Sequence, residues 1–188
     1  MVEKKEDFQF YSTDERVMRA AVSVIIIAGT EIIMIKRAER KEDPWSGHIG
    51  FPGGREEKLD NFNPFKTAIR ETNEEIGIQL EQSDFVRRLT PLLPDKDFKG
   101  YKLELWPFLF ELENVVDLKI DFNEVDEIIK LPIKKITPEL DLNEREFSVL
   151  SGDKMILPCL SLNENHVVWG LSLIILTELS KVLSTKNQ

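Results

Sequence analysis

Three glutamates, Glu71, Glu74 and Glu75, stand at spacing i, i+3, i+4, with Arg70 immediately before the first of them. On a helix this spacing brings the three carboxylates to one patch, where like charges repel, and no lysine lies among them to relieve the repulsion. A hard divalent cation such as Mg²⁺ or Mn²⁺ would complete the patch, because these ions prefer carboxylate, carbonyl and water oxygens. The other reading is a plain solvated acidic face.

A helix is readable around these acids. Asn63 suits the N-cap, Pro64 the first helical position and Gly77 the left-handed residue past the end. Phe65, Ala68, Ile69, Thr72 and Ile76 fall within one stripe roughly 100° wide, which faces a core. Just upstream, Gly50, Gly53 and Gly54 let the backbone approach a metal or a pyrophosphate closely, and Pro52 stiffens the turn.

The arrangement Arg70-Glu71-x-x-Glu74-Glu75-x-Gly77-Ile78, preceded by Gly53-Gly54, resembles the signature of the Nudix hydrolases. That resemblance implies that Glu71, Glu74 and Glu75 hold the metals, that Arg70 orients a carboxylate, and that the Gly53 or Gly54 carbonyl reaches the metal. This chain is longer than the common form between Gly54 and Arg70. Asp60 stands where an earlier glutamate usually stands, and Thr72 replaces an apolar residue. A narrower stretch, Arg37-Ala38 followed by Gly47-His48-Ile49-Gly50-Phe51-Pro52-Gly53-Gly54, is similar to the coenzyme A pyrophosphatase branch. That branch carries a further arginine about where this chain has Asp43, with Arg40 and Lys41 nearby.

The resemblance implies an α/β fold, a Nudix-type α/β/α sandwich with a mixed β-sheet; periodicity alone gives only mixed α and β. It implies hydrolysis of the diphosphate of an ADP-containing coenzyme, coenzyme A first, with FAD, ADP-ribose or NADH as alternatives. Decapping of an RNA end is a further reading within the family. A non-catalytic sensor that binds a nucleotide belongs to another class, and a binding module has no need of a costly acidic cluster.

The remaining site candidates come from the flanking segments. Arg37, at the end of a strand, either pairs with substrate phosphate or sits in a surface salt bridge. Trp45 either stacks on an aromatic moiety of the ligand or caps the core. His48 either donates to substrate or makes a structural hydrogen bond. In DFNEVDE, residues 121–127, Glu124 or Glu127 resembles the later acid that lies near the metals in this family. Lys96, Lys99 and Lys102 form a local positive excess and are read as exposed.

Along the chain, Ala21 to Ala28 and Ile32 to Lys36 read as a hairpin around Gly29-Thr30. Phe85 to Leu93 and Tyr101 to Leu112 read as strands, the second with Trp106, Phe108 and Phe110 on one side. Val167 to Leu171 leads into a C-terminal helix in which Leu171, Ile174, Ile175 and Glu178 follow helical spacing, Glu178 being exposed. Residues 1–20 form an N-terminal extension to a single domain spanning residues 1–188, and Ser184 to Gln188 are expected to fray.

With 188 residues, 41% hydrophobic and 31% charged, the composition is that of an ordinary globular protein. A net charge of −9 argues against unspecific binding to nucleic acid or to anionic membrane. No apolar run approaches a membrane span and no secretory segment is read, so the expected location is the cytoplasm. The lone Cys159 reads as a packed core thiol. A homodimer is left open, with the Trp169 helix or the N-terminal segment as its surface.

Overall fold

The computed structural model describes residues 8–41, 45–93, 102–114, 117–137, 139–148 and 153–186. Asp43, Lys96 and Lys99 lie outside them.

The elements in chain order are β1 (Val17–Ile27), β2 (Glu31–Arg37), β3 (Ile49–Gly50), β4 (Gly53–Arg55), α1 (Pro64–Ile76), β5 (Phe85–Arg88), β6 (Lys102–Leu112), β7 (Val125–Pro132), β8 (Asn143–Ser148), β9 (Lys154–Ser161), β10 (Val167–Trp169) and α2 (Gly170–Lys186). Among the described residues, seven strands make one mixed sheet and β8, β9 and β10 make a second. The β1–β2 hairpin forms as its sequence predicts, with Ile25 opposite Ile33, while β1 pairs in parallel with β6 along its whole length.

Period-2 alternation sorts β1 between two cores. Ala21, Ile25 and Ile27 pack with Phe65, Ala68 and Ile76 of α1, whereas Val24 and Ile26 pack with Leu173, Ile175, Leu176 and Leu179 of α2. Both faces are thus covered by helices, which is why the strand reads as a continuous apolar run. The fold is α/β, a mixed sheet between two helical layers.

Asn63 caps α1 by accepting from the N–H groups of Phe65 and Lys66, and Gly77 ends it in the left-handed region at φ 73°. Thr72 is buried for its hydroxyl as well as its methyl. Its Oγ1 lies 2.8 Å from both the Ala68 carbonyl and Ser23 Oγ, pinning the helix to β1. Trp106, Phe108 and Phe110 are core, as their alternation predicts.

The stripe expected on α2 is corrected. Leu173, Ile175, Leu176, Leu179 and Ser180 face inward, and Ile174 is exposed. The helix is apolar nearly all round, so spacing alone does not choose its buried face. Glu178, expected to be exposed, is half-buried and accepts from the Thr90 N–H and hydroxyl just past β5. The helix continues through Lys186, past the fraying expected from Ser184. Cys159 is buried.

The N-terminal extension has a structural role that its polar composition hides. Phe8 and Phe10 are buried, with Phe8 5.2 Å from the Phe108 ring and Phe10 5.8 Å from Phe62. Buried Glu104 on β6 latches this strap. Its carboxylate accepts from the N–H groups of Tyr11 at 2.6 Å and Ser12 at 3.0 Å and from Trp106 Nε1 at 2.7 Å. Glu104→Ala leaves three donors without their acceptor and is expected to cost about 3 kcal/mol. Urea unfolding checks this, and a loss below about 1 kcal/mol would show that the strap holds by its aromatic rings alone.

Candidate active site at a fork in the sheet

One edge of β1 is shared between two partners. Residues 25–27 pair with β2, but residues 20–22 pair with β4. Past Ile33, β2 leaves β1 and pairs with β3 through Ile35 and Lys36 on the same side, while β7 runs along its other edge. The sheet therefore forks, and Phe51-Pro52 crosses the gap between β3 and β4, with the Pro52 carbonyl accepting from the Ser23 N–H.

The acids of α1 lie over the β4 side of this fork. Glu75 is 1% exposed and accepts the Gly53 N–H at 2.8 Å. Glu71, 12% exposed, fits so closely over Gly54 that a Cβ there would lie 2.3 Å from its Oε2. Gly53 takes φ 147°, and a Cβ on it would meet the Ala21 carbonyl at 2.3 Å. Each glycine is thus required by a close approach, one to a carboxylate and one to the β1 backbone.

From the opposite side comes Glu124, at the turn that opens β7. One carboxylate oxygen from each of Glu71, Glu75 and Glu124 lies within 4.8 Å of the other two. Burial pushes the Glu71 carboxyl up to about 7, against the pull of Arg70, and the Glu75 carboxyl up to about 8, against the Gly53 N–H and Arg37. Three converging oxygen donors whose ionisation burial and mutual repulsion oppose fit a hard divalent ion.

The structure sets Glu74 outside that group. It is 54% exposed and paired with Arg70 Nη1 at 2.7 Å. Glu127, within β7 rather than in the turn that opens it, is also set apart, 2.9 Å from His166 Nε2. Arg70 is paired with Asp60. It donates Nε to Oδ1 at 3.0 Å and Nη2 to Oδ2 at 2.9 Å, and it also meets Glu71 at 2.9 Å. Burial raises the Asp60 carboxyl, but Arg70, the Glu57 N–H and the Thr67 hydroxyl together hold it below the ordinary value.

Arg37 lies 3.8 Å from Glu75 at the rim. The His48 ring is edge-on to Trp169 at 4.7 Å, and Trp169 stacks on Phe147 at 4.3 Å on a strand that sequence patterning did not reveal. Trp45 lies in the turn before β3, its carbonyl accepting from the His48 N–H.

Fold and site together define an α/β protein with a carboxylate site where a glycine turn meets a helix. Residues 17–151 match the family model of the NUDIX domain, and the chain belongs to the Nudix hydrolase family. A mitochondrial coenzyme A diphosphatase of Mus musculus is 26% identical over 162 residues, 85% of this chain and 73% of that protein. An uncharacterized protein of Schizosaccharomyces pombe is 35% identical over 97 residues, 50% of this chain, and the match spans only 29% of that protein. A MutT/nudix family protein from Enterococcus faecalis shares the fold at a TM-score of 0.60 and 19% identity, over 94% of this chain and 66% of its own. Among the described residues no helix is long and apolar enough to cross a membrane.

Proposed function

We propose that the chain is a metal-dependent pyrophosphohydrolase that cleaves the diphosphate of an ADP-containing coenzyme, with coenzyme A the first candidate. The observation that carries the reading is the convergence of Glu71, Glu75 and Glu124 beside Gly53 and Gly54. The similarity to a protein named as a coenzyme A diphosphatase favours coenzyme A.

In this reading Glu71, Glu75 and Glu124 hold one or more Mg²⁺ or Mn²⁺ ions, with the Gly53 or Gly54 carbonyl and Glu74 as further ligands. A bound ion would supply charge to offset that of the diphosphate and would lower the pKa of the attacking water toward neutrality. Glu124, at 41% exposure, has the solvent access to take a proton from that water. Arg70 holds Asp60 and Glu71 in place and does not touch substrate. Arg37 meets a phosphate at the rim, and His48 and Trp45 line the approach. The cytoplasm is the proposed location, and the chain's relatives include a protein named as mitochondrial.

The test is chromatographic product analysis with coenzyme A, FAD, ADP-ribose and NADH, each with Mg²⁺, Mn²⁺ or chelator. Metal-dependent release of 3′,5′-ADP chiefly from coenzyme A is the expected result. Preferential AMP release from a coenzyme without the 3′-phosphate would keep the chemistry and replace the substrate. No product from any of them would move the reading to RNA caps or to a nucleotide sensor.

A further inference from the structure

We infer that Arg40 is a positioning residue that holds Glu124 against Glu71 and Glu75, an inference that rests on the metal-site reading above. Of the three acids, Glu124 alone comes from the β2–β7 side of the fork and is substantially exposed. Two like charges face it, so a free side chain would turn outward to water.

Arg40 opposes that turn at two consecutive residues. Its Nη2 lies 3.6 Å from Glu124 Oε1 and donates to the Asn123 carbonyl. Arg40 is itself anchored. Its N–H donates to Ser46 Oγ at 2.7 Å, and the Ala38 N–H donates to the Glu124 carbonyl at 2.9 Å. The turn is stiffened from within by Asp121, whose Oδ1 accepts from the N–H and the amide of Asn123 at 2.9 Å, and the Asp121 N–H reaches the Glu75 carbonyl at 3.0 Å.

Each acid of the group therefore faces one guanidinium: Glu71 faces Arg70, Glu75 faces Arg37 and Glu124 faces Arg40. Arg40 grips the backbone of the turn as well as the acid. As a half-exposed ion pair it contributes little stability. Its effect is on where the Glu124 oxygens stand, and such outer partners commonly change metal affinity by about tenfold or more.

The experiment is Mn²⁺ binding to the full chain, followed by electron paramagnetic resonance of the free ion. Arg40→Ala is expected to weaken binding about tenfold, and Arg40→Lys to restore part of it. Arg40→Ala added to Glu124→Gln should produce no further loss, because the first acts through the second. Unchanged affinity in Arg40→Ala, or a loss that adds in the double variant, would overturn the inference. Arg40→Gln replaces it should Arg40→Ala not fold.

In turnover, kcat should fall with KM unchanged; a raised KM at unchanged kcat would make Arg40 a substrate contact and overturn the inference too. Wild-type protein that binds Mn²⁺ but turns over nothing defeats the proposed function and leaves the binding test standing. Wild-type protein that binds no Mn²⁺ defeats both.

Discussion

Glu75→Gln is expected to yield a protein that is more stable than the wild type without metal and inactive with it. The glutamine keeps an oxygen for the Gly53 N–H but carries no charge into a site that is 1% exposed. The sign follows from linkage. Unfolded, both Glu71 and Glu75 titrate near the ordinary 4.5; folded, they titrate at about 7 and about 8. Between those values the folded chain holds more protons than the unfolded one. Metal-free stability is therefore full below pH 4.5 and falls as the pH rises through 7 and 8, by a few kcal/mol in all. Removing one of the two acids recovers part of that loss, and thermal melts at pH 8 in chelator should shift upward by roughly 5 °C. Metal-dependent turnover should fall by roughly 10³-fold, because a ligand that would hold the charge-neutralising ion is gone. A melt that is unchanged, or lower, would mean that Glu75 is not held ionised against its surroundings.

The second large effect separates two adjacent glycines. Gly54→Ala places a methyl 2.3 Å from Glu71 Oε2, and the far end of a side chain can give way. The fold should survive within about 1 kcal/mol while Mn²⁺ affinity falls at least about tenfold, since Glu71 must swing aside. Gly53→Ala places its methyl 2.3 Å from the Ala21 carbonyl and 2.6 Å from Val22 Cα, at φ 147°. Neither the backbone contact nor the dihedral can relax cheaply, so a destabilisation of about 3 kcal/mol or more is expected. Melting temperature and Mn²⁺ affinity, measured on both variants, discriminate. Normal affinity in Gly54→Ala would remove Glu71 from the ligand set.

The helix and its caps were legible because each signal is local: Asn63, Pro64 and Gly77 act within a turn of where they stand. Strands β1, β2 and β6 were legible in outline for the same reason, through alternation or a β-branched run. The composition of the acidic group was not. Helical spacing puts Glu71, Glu74 and Glu75 on one patch, but which of them turns inward depends on β4 passing beneath the helix, and that is a long-range pairing with β1. Spacing equally cannot separate Glu124 from Glu127, because the first lies in the turn before β7 and the second within the strand. The second sheet was missed because β8 is almost wholly exposed and carries no apolar alternation to mark it. The strap at Phe8 and Phe10 was masked by its polar neighbours; the signal that could have found it is Glu104, which alternation places on the same face of β6 as Trp106, Phe108 and Phe110.

The fork makes the sheet a pair of tongs. One arm, β1 with β4, carries Glu71 and Glu75 on its helix; the other, β2 with β7, carries Glu124 at one end. The arms are joined directly through the tight bend at Ala28-Gly29, both residues at positive φ. The span between the acids then depends on how far the arms splay as well as on the contacts that hold each side chain. If the acidic group holds an ion as proposed, its preference for ionic size would depend on sheet curvature, and substitutions in the bend, outside that group, would change it.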